Sequence, residues 1–153
     1  MVKEILALTG FDPHYLEIEV TESLFISSLD YVANVLSELS ELGIHIAIDD
    51  FGTGYSSLSY LQQLPIHILK IDKSFIDHIT YTSDTSKMVE AIIKLSHTLG
   101  LEVIAEGVEE EVQLNFLKQC RCDTIQGYIW GKPYPLDVLV EKCGSQLPKA
   151  QTI

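Results

Sequence analysis

Positive charge is scarce in this chain: 10 lysines and arginines stand against 22 aspartates and glutamates in 153 residues, a net charge of −12. Proteins that grip DNA or RNA polymers, or lie on anionic membranes, need cationic patches to meet phosphate, so neither class is expected here. Cysteine is scarcer still. Cys120, Cys122 and Cys143 are odd in number and include no CxxC pair, which excludes a disulfide framework. Cys120-Arg121-Cys122 has no histidine or second cysteine pair at ligand spacing, so the thiols read as structural rather than as a soft-metal site. Long apolar runs are missing as well, and Glu4 interrupts the opening Met1 to Leu6 where a secretion signal would need an apolar stretch. The expected location is the cytoplasm, even if a parent protein is membrane-attached. No low-complexity stretch or linker divides the chain, and one domain or part of one follows.

Hydrophobic residues are plentiful at 46%, against 21% charged, so the chain can bury a core. Short β-rich runs at 16–20, 44–48, 68–71, 102–105 and 124–128 read as strands. Leu29, Val32, Leu36, Leu39 and Leu42 recur at helical spacing between the first two, and Met88, Ile92, Leu95 and Leu99 do so before the fourth. Gly10, Gly43 and Gly100 close helices just ahead of strands, as left-handed caps would. Residues 77–87 read as a polar loop, 136–143 as a last helix and 144–153 as a frayed tail.

Strands alternating with helices imply parallel pairing through right-handed crossovers. Side-chain parity then chooses the architecture. Ile44, Ile46 and Ile48 share one face while His45, Ala47 and Asp49 share the other; Leu69 and Ile71 oppose Lys70 and Asp72; Val103 and Ala105 oppose Glu102 and Glu106. A doubly wound sheet covered on both faces would be apolar throughout. One apolar and one charged face suits a (β/α) barrel, with helices outside and charge at the mouth of the lumen. A complete barrel needs eight strands in about 250 residues, so five strands predict an incomplete TIM-type α/β barrel.

Charged residues gather at the carboxyl ends of the strands, where barrels act on substrates: Glu19 with Glu22, Asp49 with Asp50, Lys70 with Asp72, Glu106 with Glu109. Any one of these could be a helix cap or a solvated loop residue. Converging carboxylates, however, repel one another unless a cation compensates, and hard divalent ions such as Mg²⁺ or Mn²⁺ prefer oxygen ligands. The segment from Asp49 to Ser57 ends a strand in two acids and continues through Gly52 and Gly54 into a tight loop. Its Asp-Phe-Gly lacks the other elements of a kinase. A receiver-type phosphoacceptor is also disfavoured, because its acidic pair should end the first strand, not the second visible one.

Glu19-Val20-Thr21-Glu22-Ser23, Ile48-Asp49-Asp50-Phe51-Gly52-Thr53-Gly54-Tyr55-Ser56-Ser57-Leu58, Leu69-Lys70-Ile71-Asp72-Lys73-Ser74-Phe75, Ile104-Ala105-Glu106-Gly107-Val108-Glu109 and Gln126-Gly127-Tyr128 before Pro133 follow in order over nearly the whole chain. Together they resemble the EAL domain of cyclic di-GMP phosphodiesterases. The resemblance implies hydrolysis of cyclic di-GMP to 5′-pGpG by a two-metal mechanism. It implies Mg²⁺ or Mn²⁺ held by Glu19, Asp49, Asp50 and Glu106, and a catalytic set of Lys70, Glu106 and Asp50 in which Lys70 positions or deprotonates water. Glu22 would brace the loop after Asp50, with Glu109 and Gln126 completing the mouth.

The family's Glu-Ala-Leu signature, and an asparagine on a later strand, both metal-ligating, find no counterpart; Glu4-Ile5-Leu6 matches only superficially. Residues 1–143 are therefore expected to be the C-terminal portion of such a domain, inactive alone, with an upstream sensory domain in the parent protein. The alternative is a degenerate module that binds cyclic di-GMP or a partner protein without turnover. Open sheet edges would favour a homo-oligomer.

Overall fold

The computed structural model describes residues 1–21, 24, 29–52, 61–80 and 83–143. Glu22, the glycine-rich loop beyond Gly52 and the expected tail lie outside them. Strands β1 (Glu17–Thr21), β2 (His45–Phe51), β3 (Ile68–Ile71), β4 (Glu102–Glu106) and β5 (Thr124–Gln126) form one sheet in chain order. Every neighbouring pair is parallel. The sheet does not close on itself, and β1 and β5 are its ends. This is the expected unclosed barrel wall. Around it lie α1 (Val2–Thr9), a 3₁₀ turn (Pro13–Tyr15), α2 (Leu29–Ser40), α3 (Lys73–Ile76), α4 (Asp84–Thr98), α5 (Glu111–Gln119) and α6 (Leu136–Cys143). No described helix is long and apolar enough to cross a membrane.

Parity sorts the strand residues as their alternation predicts. Ile46, Ile48, Leu69, Ile71, Val103 and Ala105 are buried in the main core with Val32 and Leu36 of α2 and Val89, Ile92 and Ile93 of α4. Those spacings of three and four residues put one stripe of each helix against the sheet. Gly10, Gly43 and Gly100 all take positive φ, as expected of left-handed helix ends.

Boundaries differ where local chemistry overrides pattern. The expected polar loop at 77–87 ends early, because Ser83 caps α4: its hydroxyl accepts the Ser86 N–H at 3.1 Å, so 84–87 are already helical. Strand β2 runs on through both acids to Phe51, and β5 stops at Gln126, two residues sooner than its hydrophobicity implied. Helices α3 and α5 carry no long apolar repeat and were not anticipated. Asp72 caps the first, accepting from Ser74 N–H at 3.0 Å, so its position at a strand end has the ordinary explanation.

Candidate functional site

Register brings the acids together. Glu19 lies opposite Ala47, Thr21 opposite Asp49, Lys70 opposite Ile104 and Glu106 opposite Gln126, so these residues rise in steps along one face toward the carboxyl ends. Lower on the same face Ala47 and Ile68 are apolar and buried. Between β2 and β3 the ladder slips: Ile48 pairs with Leu69 but Phe51 with Ile71. Asp49 and Asp50 together span the step that Lys70 alone spans on β3, which makes a β-bulge. Asp50 takes φ 55°, a conformation aspartate tolerates, and its N–H donates to Asp49 Oδ1 at 2.9 Å. The bulge thereby breaks strict alternation at the two consecutive acids.

Lys70 stands at the centre. Its side chain is buried, 4% exposed for the residue, yet ends in a charge. Its Nζ donates to Glu19 Oε1, and it pairs with Glu106 Oε1 at 2.6 Å and Asp49 Oδ1 at 3.9 Å. Four strands thus meet on one ammonium. Burial by itself would lower the Lys70 pKa, but the hydrogen bonds to Glu106 and Glu19 and the charges of Glu106 and Asp49 outweigh it and hold the pKa above the ordinary lysine value. Asp50 is exposed, and its carboxyl is raised chiefly by the charge of Asp49, then by burial and by Asp72, against the pull of Lys70.

Glu19, Asp49, Asp50 and Glu106 set four carboxylates against this one ammonium. Such oxygen donors, with charge left over, fit hard divalent cations in kind. In this arrangement the Lys70 ammonium stands among them, and no group of three or more His, Cys, Asp or Glu side chains among the described residues is disposed to hold a metal ion.

Glu109 and Gln126 stand apart from that cluster and line a cleft of about 600 Å³ beside it, together with Tyr128, Lys132 and Tyr134. Gly107, Gly127 and Gly131 shape its wall. A Cβ on Gly127 would lie 2.1 Å from the Val108 carbonyl oxygen, so only glycine lets β5 leave the ladder here, and this is why the strand ends at Gln126. Val108 N–H then donates to Gln126 O at 3.1 Å and its carbonyl accepts from Ile129 N–H at 3.0 Å. Glu22 lies outside the described residues.

Two supporting residues were missed by sequence reasoning. Lys73 reaches Glu109 Oε1 at 3.0 Å, and Gln113, 4% exposed, accepts from the Glu109 and Glu110 N–H groups at 2.8 and 2.9 Å while donating to Ile76 O at 3.2 Å. Glu110 with Gln113 three residues later is a capping-box pattern legible in sequence, whereas nothing local pairs Lys73 with Glu109. The expected structural role of the thiols fits Cys122, whose Sγ donates to Val103 O and whose pKa burial raises to about 11.

The family model described as EAL domain matches residues 1–133. Signaling protein YkoW of Bacillus subtilis is 50% identical over 135 residues, which are 88% of this chain and 17% of YkoW. The solved MucR phosphodiesterase of Pseudomonas aeruginosa, in complex with c-di-GMP, superposes with a TM-score of 0.85 at 44% identity, covering 90% of this chain and 56% of that one. BlrP1 of Klebsiella pneumoniae, solved with manganese and c-di-GMP, superposes at 0.79 and 32% identity, covering 86% of this chain and 34% of that one. The chain therefore spans about a sixth of YkoW and little more than half of the MucR structure.

Proposed function

Since the chain belongs to the EAL domain family, we propose that its strand-end cluster belongs to a cyclic di-GMP phosphodiesterase site, opening the cyclic dinucleotide to 5′-pGpG with the help of divalent cations. The observation that carries this reading is the convergence on Lys70 of carboxylates from the ends of β1, β2 and β4. The similar MucR and BlrP1 structures were solved with c-di-GMP, the latter with manganese, which supports both the substrate and the cation.

Glu19, Asp49, Asp50 and Glu106 would hold Mg²⁺ or Mn²⁺, which when bound lower the pKa of water and stabilise charge on a phosphodiester. This chain's residues do the rest. Lys70 already donates to two carboxylates, and that geometry suits an ammonium that orients water and screens phosphate charge; between the two roles implied for it, positioning is the better supported. Glu106, whose Oε1 lies 2.6 Å from the same ammonium, would hold the second metal ion or its water. Glu109 and Gln126 line the adjoining cleft, where the rest of an extended substrate would lie.

The test is a turnover assay on cyclic di-GMP with and without Mn²⁺, run on this chain beside its parent protein. Metal-dependent release of 5′-pGpG that Asp49→Asn and Lys70→Ala abolish is the expected result in the parent. Binding without turnover in both would instead identify a non-catalytic module, and neither binding nor turnover would overturn the assignment.

A further inference from the structure

Helix α3 does more than follow β3. Lys73, its first residue, extends across to the turn that leaves β4 and meets three oxygens there or nearby: Asp77 Oδ1 at 2.7 Å, Glu109 Oε1 at 3.0 Å and the Gly107 carbonyl at 3.4 Å. Gly107 follows Glu106 directly and takes φ 70°. A Cβ there would sit 2.4 Å from Lys73 Cγ and 2.6 Å from its Cδ, so the lysine stem occupies the space a side chain would need. The next residue, Val108, carries the hydrogen bonds to Gln126 and Ile129 that fix the end of β5. Gln113 anchors the same turn to the carbonyl of Ile76.

We propose that Lys73 is a positioning residue of this site: it clamps the Gly107 to Glu109 turn onto α3 and so sets the Glu109 carboxylate and Gln126 in the cleft. The clamp is local. Its carboxylates and ammonium are each nearly half exposed, and such ion pairs add little to global stability. The effect on a ligand rests on the phosphodiesterase reading above; the clamp itself does not.

Two measurements test it, on wild type, Lys73→Met and Lys73→Arg. The first needs no ligand. In Lys73→Met the Val108 and Glu109 amides should exchange with solvent about tenfold faster, with Leu69 and Val103 amides and the urea midpoint nearly unchanged, and Lys73→Arg should restore protection. Equal exchange in wild type and Lys73→Met would overturn the clamp, as would an equal increase throughout the sheet. The second is calorimetric titration with cyclic di-GMP in Ca²⁺. Lys73→Met should weaken binding about tenfold and Lys73→Arg should recover all but about threefold of it; unchanged affinity in Lys73→Met would overturn the positioning role. Absence of binding in wild type would count against the phosphodiesterase reading alone, and the exchange result would still decide the clamp.

Discussion

Replacing Lys70 by methionine keeps an unbranched stem of similar length and deletes only the charge that three strand ends share. At 3.9 Å and an effective dielectric of 20, the attraction of Asp49 alone is about 4 kcal/mol gross, and the hydrogen-bonded Glu19 and Glu106 add more. Most of that gross term is offset by the desolvation of the ammonium of a lysine only 4% exposed as a residue. What the substitution measures is therefore the cost of leaving carboxylates facing one another without a counter-charge. Breaking a buried pair costs roughly 3–5 kcal/mol, and because the Glu19 side chain is 48% exposed and can hydrate, we expect the lower end, about 3 kcal/mol. For a domain of this size that is a fall in Tm of about 6–12 °C. The assay is urea unfolding followed by circular dichroism for wild type, Lys70→Met, Glu106→Gln and the double variant. Removing the Glu106 charge should hurt less once Lys70 is gone, with a coupling energy of about 1.5–3 kcal/mol. Additive single-variant effects would refute the reasoning, because they would mean that Lys70 and Glu106 do not share a charge balance.

Gly127→Ala should destabilise by about 1–3 kcal/mol or more, since its Cβ meets backbone rather than a yielding side chain, and an unchanged urea midpoint would contradict that close approach. His67 has its pKa lowered by burial and then by the charge of His45, whose ring stacks on it at 5.5 Å, while its Nδ1 accepts the Ile46 N–H at 3.1 Å. A folded pKa below the unfolded 6.5 means the unfolded chain binds the extra proton. The stabilising contribution is thus complete above pH 6.5 and is lost as pH falls through the folded value. His67→Asn keeps an acceptor without titrating, so the wild type should lose more stability between pH 7.5 and 5.5 than the variant does; equal losses would clear His67. Among the described residues β1 and β5 each pair on one side only, so size exclusion with light scattering should find a small closed oligomer held from wider aggregation by the charge of −12, and a compact micromolar monomer would show that these edges are covered within the chain.

The strands were legible because their alternation is strict. A period of two written over Ile44 to Asp49 or Leu69 to Asp72 assigns each residue a face without knowledge of its neighbours, and the faces in the structure are those. Glu19, Asp49, Lys70 and Glu106 came together for the same reason, since matching parity at successive parallel strand ends leaves them one place to meet. The β2 bulge was not legible. Nothing in Asp49-Asp50 says that alternation breaks between the two acids, because that depends on a register slip against β3 rather than on β2 itself. Helix α5 was missed because it is only nine residues long, too short for its apolar spacing to repeat, although its capping pair was in view. The Lys73 to Glu109 contact joins residues 36 apart through the placement of two loops, and no periodicity carries that information.

A buried ammonium surrounded by carboxylates is a poor way to stabilise a sheet, because well-packed apolar residues of similar volume would serve as well or better. The chain itself shows that this face accepts them: lower on the same face, Ala47 and Ile68 are buried, with relative exposures of 0% and 6%. Glu17 and Glu102, at the amino ends of β1 and β4, are exposed to water, whereas at the carboxyl ends of β1 to β4 charged residues recur on strand after strand and converge on the buried Lys70. Packing therefore does not require this charged layer. The proposed phosphodiesterase site would require it, because a surplus of carboxylate oxygens around one lysine suits cations and the anionic groups that cations and lysine together can hold. Under that proposal an acidic protein would take an acidic ligand once bound cations outweigh the carboxylates, and the positive charge that the chain itself supplies in this layer is that of Lys70, whose loss the unfolding experiment measures.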